Sequence, residues 1–134
     1  MVCIQCGENT QVTNSRLQRR NNHIWRRRRC TRCGSVFTTS EVPDYGKAWR
    51  VHSPSGRLTA FSRDKLLLSL YDSCQHRSSA LEDASGLAET VIRKLQGSVK
   101  DGIIESKVIA QTTVVALNRF DRAAGVRYGA LHPR

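Results

Sequence analysis

The sequence predicts an α+β chain: a small three-stranded ribbon held by a metal, followed by a β-hairpin and about four helices. Three observations predict it. Two Cys-x-x-Cys-Gly knuckles, Cys3–Gly7 and Cys30–Gly34, supply four thiolates, the ligand set of a tetrahedral structural zinc site. The segments between and after them are short and rich in β-branched and aromatic residues. Beyond residue 62, apolar residues recur at helical spacing.

The elements follow in order. Gln11–Leu17, His23–Arg29 and Ser35–Val42 read as the three strands, with Arg19-Arg20-Asn21-Asn22 as a polar turn. So small a unit cannot bury enough apolar surface to fold alone, so zinc binding has to supply the difference. Pro43-Asp44-Tyr45-Gly46 marks a break, which divides the chain into residues 1–45 and 46–134. Ala48–His52 and Arg57–Phe61 read as a hairpin around Ser53-Pro54-Ser55-Gly56. Ser62 is placed to cap a helix with Leu66, Leu67, Leu70, Tyr71 and Cys74 on its inner face. A second helix, Leu81 to Gln96, turns Leu87, Val91 and Leu95 inward and stops at Gly97. A third begins near Ser106, with Val108, Ile109, Thr112, Val115 and Ala116 inward. Asp121 caps a fourth that carries Val126, Tyr128 and Leu131.

Charge and cysteine usage narrow the function. The formal net charge is +11, and the isoelectric point near 10.2 calls for a polyanionic partner. The cationic charge of the first part is clustered: Arg16, Arg19, Arg20, Arg26 to Arg29 and Arg32 lie within one stretch that holds no acidic residue. On a strand, Arg26 and Arg28 share one face and Arg27 and Arg29 the other. One of these pairs joins Arg16 and Arg32 at a phosphate-binding surface. Trp25 reads as ribbon core, with base stacking as its alternative. Four cysteines in paired knuckles point to metal and a reducing, cytoplasmic setting, not to disulfides. No apolar run has membrane-spanning length, and the Met1-Val2-Cys3 start predicts no cleaved leader. Four cysteines fill a tetrahedral site, so the metal is structural. The four histidines have no ligand-like spacing, Cys74 reads as an inert core thiol, and no acid–base or nucleophilic pair appears. The chain does not read as an enzyme.

With these residues in place the chain resembles the bacterial NrdR family, transcriptional repressors of ribonucleotide reductase genes. The likeness rests on the paired cysteines, Asn14-Ser15-Arg16 (usually Asp-Ser-Arg), the arginine run into Cys30, and Phe37-Thr38-Thr39-x-Glu41. In the second part it rests on Val51, Gly56-Arg57, Phe61 with Arg63 and Lys65, and Val126-Arg127-Tyr128. The resemblance implies a zinc ribbon that binds double-stranded DNA, joined to an ATP-cone-like domain that senses ATP or dATP and sets a homo-oligomeric state. It implies zinc on Cys3, Cys6, Cys30 and Cys33, and DNA on Arg16, Arg19, Arg26, Arg27, Arg28, Arg29, Arg32, Thr38 and Thr39. Adenine nucleotide would meet Val51, His52, Ser53, Ser55, Gly56, Arg57, Phe61, Lys65, Arg127 and Tyr128. The protein would work in the cytoplasm, associated with the nucleoid when on DNA. The chain departs from the family at the Ser53–Gly56 turn, where two cations usually stand, which leaves Arg57 and Lys65 as the expected phosphate grips. Two rival readings are an RNA- or ribosome-associated ribbon protein, and a DNA-binding repressor whose cone only assembles it.

Overall fold

A computed structural model describes residues 1–133 and separates the chain into two compact units, Met1–Pro43 and a second beginning at Asp44. In the first, β1 (Thr10–Gln18), β2 (His23–Cys30) and β3 (Val36–Glu41) form an antiparallel sheet in the order β1-β2-β3. The β1–β2 turn is closed by Asn22 at φ 49°, a left-handed conformation that asparagine tolerates better than most residues. A bulge in β1 between Val12 and Asn14 shifts its register against β2. Only Cys3 and Cys30 are buried among the described residues of this unit. Val12, Leu17, Val36 and Val42 are all exposed, so the sheet has no apolar core of its own.

The second unit opens on a single helical turn, α1 (Tyr45–Ala48), started by Asp44, whose side chain accepts from the Lys47 N–H. It then forms β4 (Arg50–His52), β5 (Leu58–Ala60), α2 (Arg63–Cys74), α3 (Ala80–Leu95), a 3-10 turn (Gln96–Ser98), β6 (Ile103–Glu105), α4 (Ser106–Phe120) and α5 (Arg122–Leu131). The expected hairpin is present as β4 and β5, and a third strand, β6, joins the other edge of β4 in parallel. The two-stranded expectation is thereby corrected to three. β6 is only three residues long and runs straight into α4, too short for alternation to show. Parallel pairing also has no local turn to announce it.

Two of the longer helices, α2 and α5, start at side-chain caps. Ser62 Oγ accepts from the Lys65 N–H at 3.2 Å, and Asp121 Oδ1 accepts from the Ala124 N–H at 3.1 Å. The core gathers Leu70, Cys74, Val91, Leu95, Ile104 and Leu117. Trp49 packs between Tyr45 (ring centroids 4.5 Å) and Phe61 (5.3 Å).

Two helix faces differ from expectation. On α2, Ser73 is buried and Tyr71 is exposed; on α4, Thr113, Val114 and Leu117 are buried and Val115 is exposed. The reason is the same in both. The Ser73 hydroxyl donates to the Ser69 carbonyl at 2.9 Å, and the Thr113 hydroxyl to the Ile109 carbonyl at 2.7 Å. A small hydroxyl satisfied by its own helix can enter the core without an unpaired polar group, and here it does so beside Leu66, Leu70 and Cys74 on α2 and beside Val114, Ala116 and Leu117 on α4. Val126 and Leu131 of α5 are likewise exposed, while Tyr128 is buried.

A four-cysteine centre, an arginine face and a cavity

The knuckles bring their sulfurs together. The Sγ atoms of Cys3, Cys6, Cys30 and Cys33 all lie within 4.8 Å of one another, with Cys3–Cys33 at 3.7 Å and Cys6–Cys30 at 3.5 Å. A tetrahedron of thiolates bonded to zinc has edges of about 3.8 Å, so the donor set fits this metal. The first knuckle closes through Gly7, whose N–H donates to the Cys3 carbonyl at 3.0 Å. Gly7 (φ 77°) and Gly34 (φ 74°) adopt left-handed backbone that suits glycine.

Backbone N–H groups point at the sulfurs: Gln5 at Cys3, and Arg32 and Cys33 at Cys30, each at 3.4 Å. One side chain joins them. Ser35 Oγ lies 3.1 Å from both Cys3 and Cys33 Sγ. That hydroxyl, ahead of nearby backbone N–H groups, holds the Cys3 thiol down at about 6 and lowers Cys33 as well. Against the lowering pull of the Glu8 backbone N–H, the hydrogen shared with Cys30, together with burial and the other two thiols, pushes Cys6 up to about 12. Four thiols this close cannot all ionise on their own; a bound dication lets them.

Strand register sorts the arginine run into two sets, because directly opposed residues of an antiparallel ladder share a face. Trp25 lies opposite Arg16 and Ser40, Arg27 opposite Asn14 and Thr38, and Arg29 opposite Gln11 and Val36. These nine positions form three rows on one face; eight are exposed and Trp25 is half-buried. None is acidic. Among the described residues, the guanidiniums of Arg16, Arg27 and Arg29 have no hydrogen-bond or ion-pair partner.

Arg26, Arg28 and Thr39 lie on the other face and are half-buried. Arg26 donates to Ser15 Oγ at 3.1 Å and pairs with Glu41 at 3.7 Å. Arg28 donates to Thr10 Oγ1 at 3.4 Å. Arg19 falls in the turn after β1, and Arg32 in the second knuckle pairs with Glu8 at 3.5 Å. The alternation was legible in the sequence. The choice of pair was not, because it needs the register and the β1 bulge.

In the second unit a cavity of about 240 Å³ is lined by Val51, Thr59, Ala60, Phe61, Ser62, Lys65, Leu66, Ser69, Ile109, Tyr128 and His132. It brings Val51, Phe61, Lys65 and Tyr128 of the nucleotide set together. A second recess of about 440 Å³ shares Ile109, Tyr128 and His132 and adds Pro54, Ser106 and Lys107. His52, Ser53, Ser55, Gly56, Arg57 and Arg127 line neither. His52 Nδ1 instead meets Glu105 Oε1 at 3.0 Å. The hydroxyls of Ser53 and Ser55 bond each other at 2.7 Å, and Arg127 is exposed on α5. Sequence reasoning missed His132, which caps the C-terminal end of α5 with its N–H donating to the Tyr128 carbonyl and brings its ring to 4.3 Å from that of Tyr128. It also missed Ser106 and Lys107, which become neighbours of the cavity only through the fold.

Residues 1–41 match the family model described as transcriptional repressor NrdR-like, N-terminal domain. The chain is 33% identical to a protein of Symbiobacterium thermophilum, over 98% of this chain and 87% of that one. It is 34% identical to one of Syntrophotalea carbinolica, over 98% and 83%, and 37% identical to one of Paracoccus denitrificans, over 98% and 85%. Each of these relatives is named transcriptional repressor NrdR.

Proposed function

The chain belongs to the NrdR family of transcriptional repressors, and from that premise we propose that it represses transcription by seating the zinc-held arginine face of its ribbon on duplex DNA. The observation that carries this reading is the face itself: Arg16, Arg27 and Arg29 stand exposed on one side of the sheet, with no carboxylate among the nine positions. Unpaired cations on a rigid surface repel one another, and a polyanion relieves that repulsion. By the family's character, the DNA is a pair of boxes upstream of ribonucleotide reductase genes. The test is fluorescence anisotropy of the zinc-loaded protein on duplexes carrying two spaced boxes, competed with structured RNA. Salt-sensitive binding that RNA fails to displace supports the proposal. Preference for RNA hands the ribbon to the RNA-associated reading.

The same proposal gives the second unit an adenine nucleotide, ATP or dATP, and a homo-oligomer set by it. The cavity supports a base or nucleoside portion. Val51, Phe61, Leu66, Ile109 and Tyr128 give it apolar and aromatic walls, and its size falls below the ~300 Å³ at which pockets for whole drug-sized ligands begin. Phosphates would then extend beyond it, gripped by Lys65, which lines the cavity from the first turn of α2, and by Arg57. A competing reading makes this unit a ligand-free assembly module. It is favoured by the Ser53–Gly56 turn, which has no cation and whose two hydroxyls hydrogen-bond each other, leaving a single O–H donor between them. Calorimetry of the wild type and Lys65→Ala with ATP and dATP, alongside light scattering, separates the two. Heat that Lys65→Ala weakens, with a nucleotide-dependent mass, supports sensing. No heat and an indifferent mass support assembly alone.

A further inference from the structure

Resting on the DNA-binding reading, we propose that Arg27 reads a guanine edge in the major groove, while Arg16 and Arg29 hold phosphates on either side of it. The placement follows from the rows of the sheet. Arg27 stands on the central strand and in the central row, between Asn14 and Thr38. Arg16 belongs to the row on one side and Arg29 to the row on the other. At about 3.3 Å per residue these outer rows are roughly 13 Å apart, close to the ~12 Å width of the major groove. A sheet laid across the groove therefore sets its outer arginines at the two phosphate walls and its middle one over the base edges.

The chemistry of the middle row agrees. Asn14 Oδ1 already accepts the Ser15 N–H at 2.9 Å, which leaves its Nδ2 group as a donor. Arg27 has only donors, and Thr38 adds a hydroxyl. A row dominated by donors suits a base edge that presents acceptors, and guanine O6 and N7 form the pair that one guanidinium meets with two hydrogen bonds. Arg26 and Arg28 take no part, because they face the other way and are bonded to Ser15, Glu41 and Thr10.

The test uses the full-length, zinc-loaded chain and a set of duplexes selected by the wild type, then varied one base pair at a time. Arg27→Lys keeps the charge and loses the two-pronged contact. It is expected to lose roughly 5- to 150-fold discrimination at one guanine position while keeping its zinc. Arg16→Ala and Arg29→Ala are expected to weaken all duplexes alike and to lower the log–log salt slope by about 0.9 each. Arg26→Ala should leave base preference unchanged. If Arg27→Lys weakens every duplex equally and its base preferences match the wild type's, the inference falls while DNA binding stands. If the wild type binds no duplex above structured RNA, the DNA reading falls and takes this one with it.

Discussion

Among the described residues, Ser35 places the only side-chain hydroxyl at the four sulfurs, 3.1 Å from both Cys3 and Cys33. Groups that orient metal ligands without touching the metal commonly contribute 10- to 100-fold in affinity. Ser35→Ala is therefore expected to keep its zinc and its ribbon but to release the metal faster to a chromophoric chelator, by about tenfold or more. Ser35→Thr, which keeps the hydroxyl, should stay near the wild-type rate; equal rates for all three proteins would remove Ser35 from the site. The cysteines themselves were legible because two knuckles of fixed spacing state their own chemistry. Ser35 was not, because its contact with Cys3 joins residues 32 positions apart. Trp25 shows the same limit. Its apolar bulk suggests an interior, yet register puts it on the outer face beside Arg16.

At the scale of elements, one carboxylate ties three helices together. Asp121 starts α5 by accepting the Ala124 N–H, and its other oxygen accepts from His76 Nε2 at 3.0 Å and Arg77 Nη1 at 3.1 Å. His76 and Arg77 follow the end of α2, and Arg77 also donates to Asp83 of α3 at 2.7 Å. The His76 hydrogen bond, followed by the Ala124 N–H and Arg77, holds Asp121 down at about 2 from an ordinary 3.8. Asp83 is lowered in the same direction, first by Arg77. A carboxyl held lower in the folded chain contributes fully above its unfolded value and loses that contribution as pH falls to its folded one. The stability of the helical unit is thus expected to drop between about pH 4 and pH 2. Asp121→Asn, which keeps a capping side chain, should show a shallower drop in urea melts across that window. Parallel curves for the two proteins would exclude Asp121 as the cause. The cap at Asp121 was readable in sequence, but its partners were not, since His76 lies 45 residues away. On α2 the expected Leu66, Leu70 and Cys74 are buried; what escaped there and on α4 are Ser73 and Thr113, whose hydroxyls are satisfied within their own helices, which a hydrophobic pattern does not record.

The molecule as a whole joins two units stabilised by different physics. Up to Pro43, cysteines provide the only buried positions. From Asp44 onward, Leu70, Val91, Leu95, Ile104 and Leu117 are almost wholly buried in an ordinary core. Metal binding at a structural cysteine site is folding free energy, of order 10–16 kcal/mol in apparent terms, and the ribbon has nothing else of that size. Removing the metal with a strong chelator, or making Cys30→Ser, is expected to collapse the ribbon's amide resonances in an NMR spectrum. The second unit should keep its dispersion and one cooperative melt. The reverse lesion acts on the core: Leu117→Ala should lower the helical unit's stability by about 2–5 kcal/mol and leave one zinc per chain. A chelated chain whose ribbon resonances persist would show that Cys3 and Cys30 hold the sheet without metal. Loss of zinc in Leu117→Ala would show that the units do not fold independently. Either result would also change how the arginine face is understood, because a face that survives without metal would be free to bind DNA whatever the zinc supply.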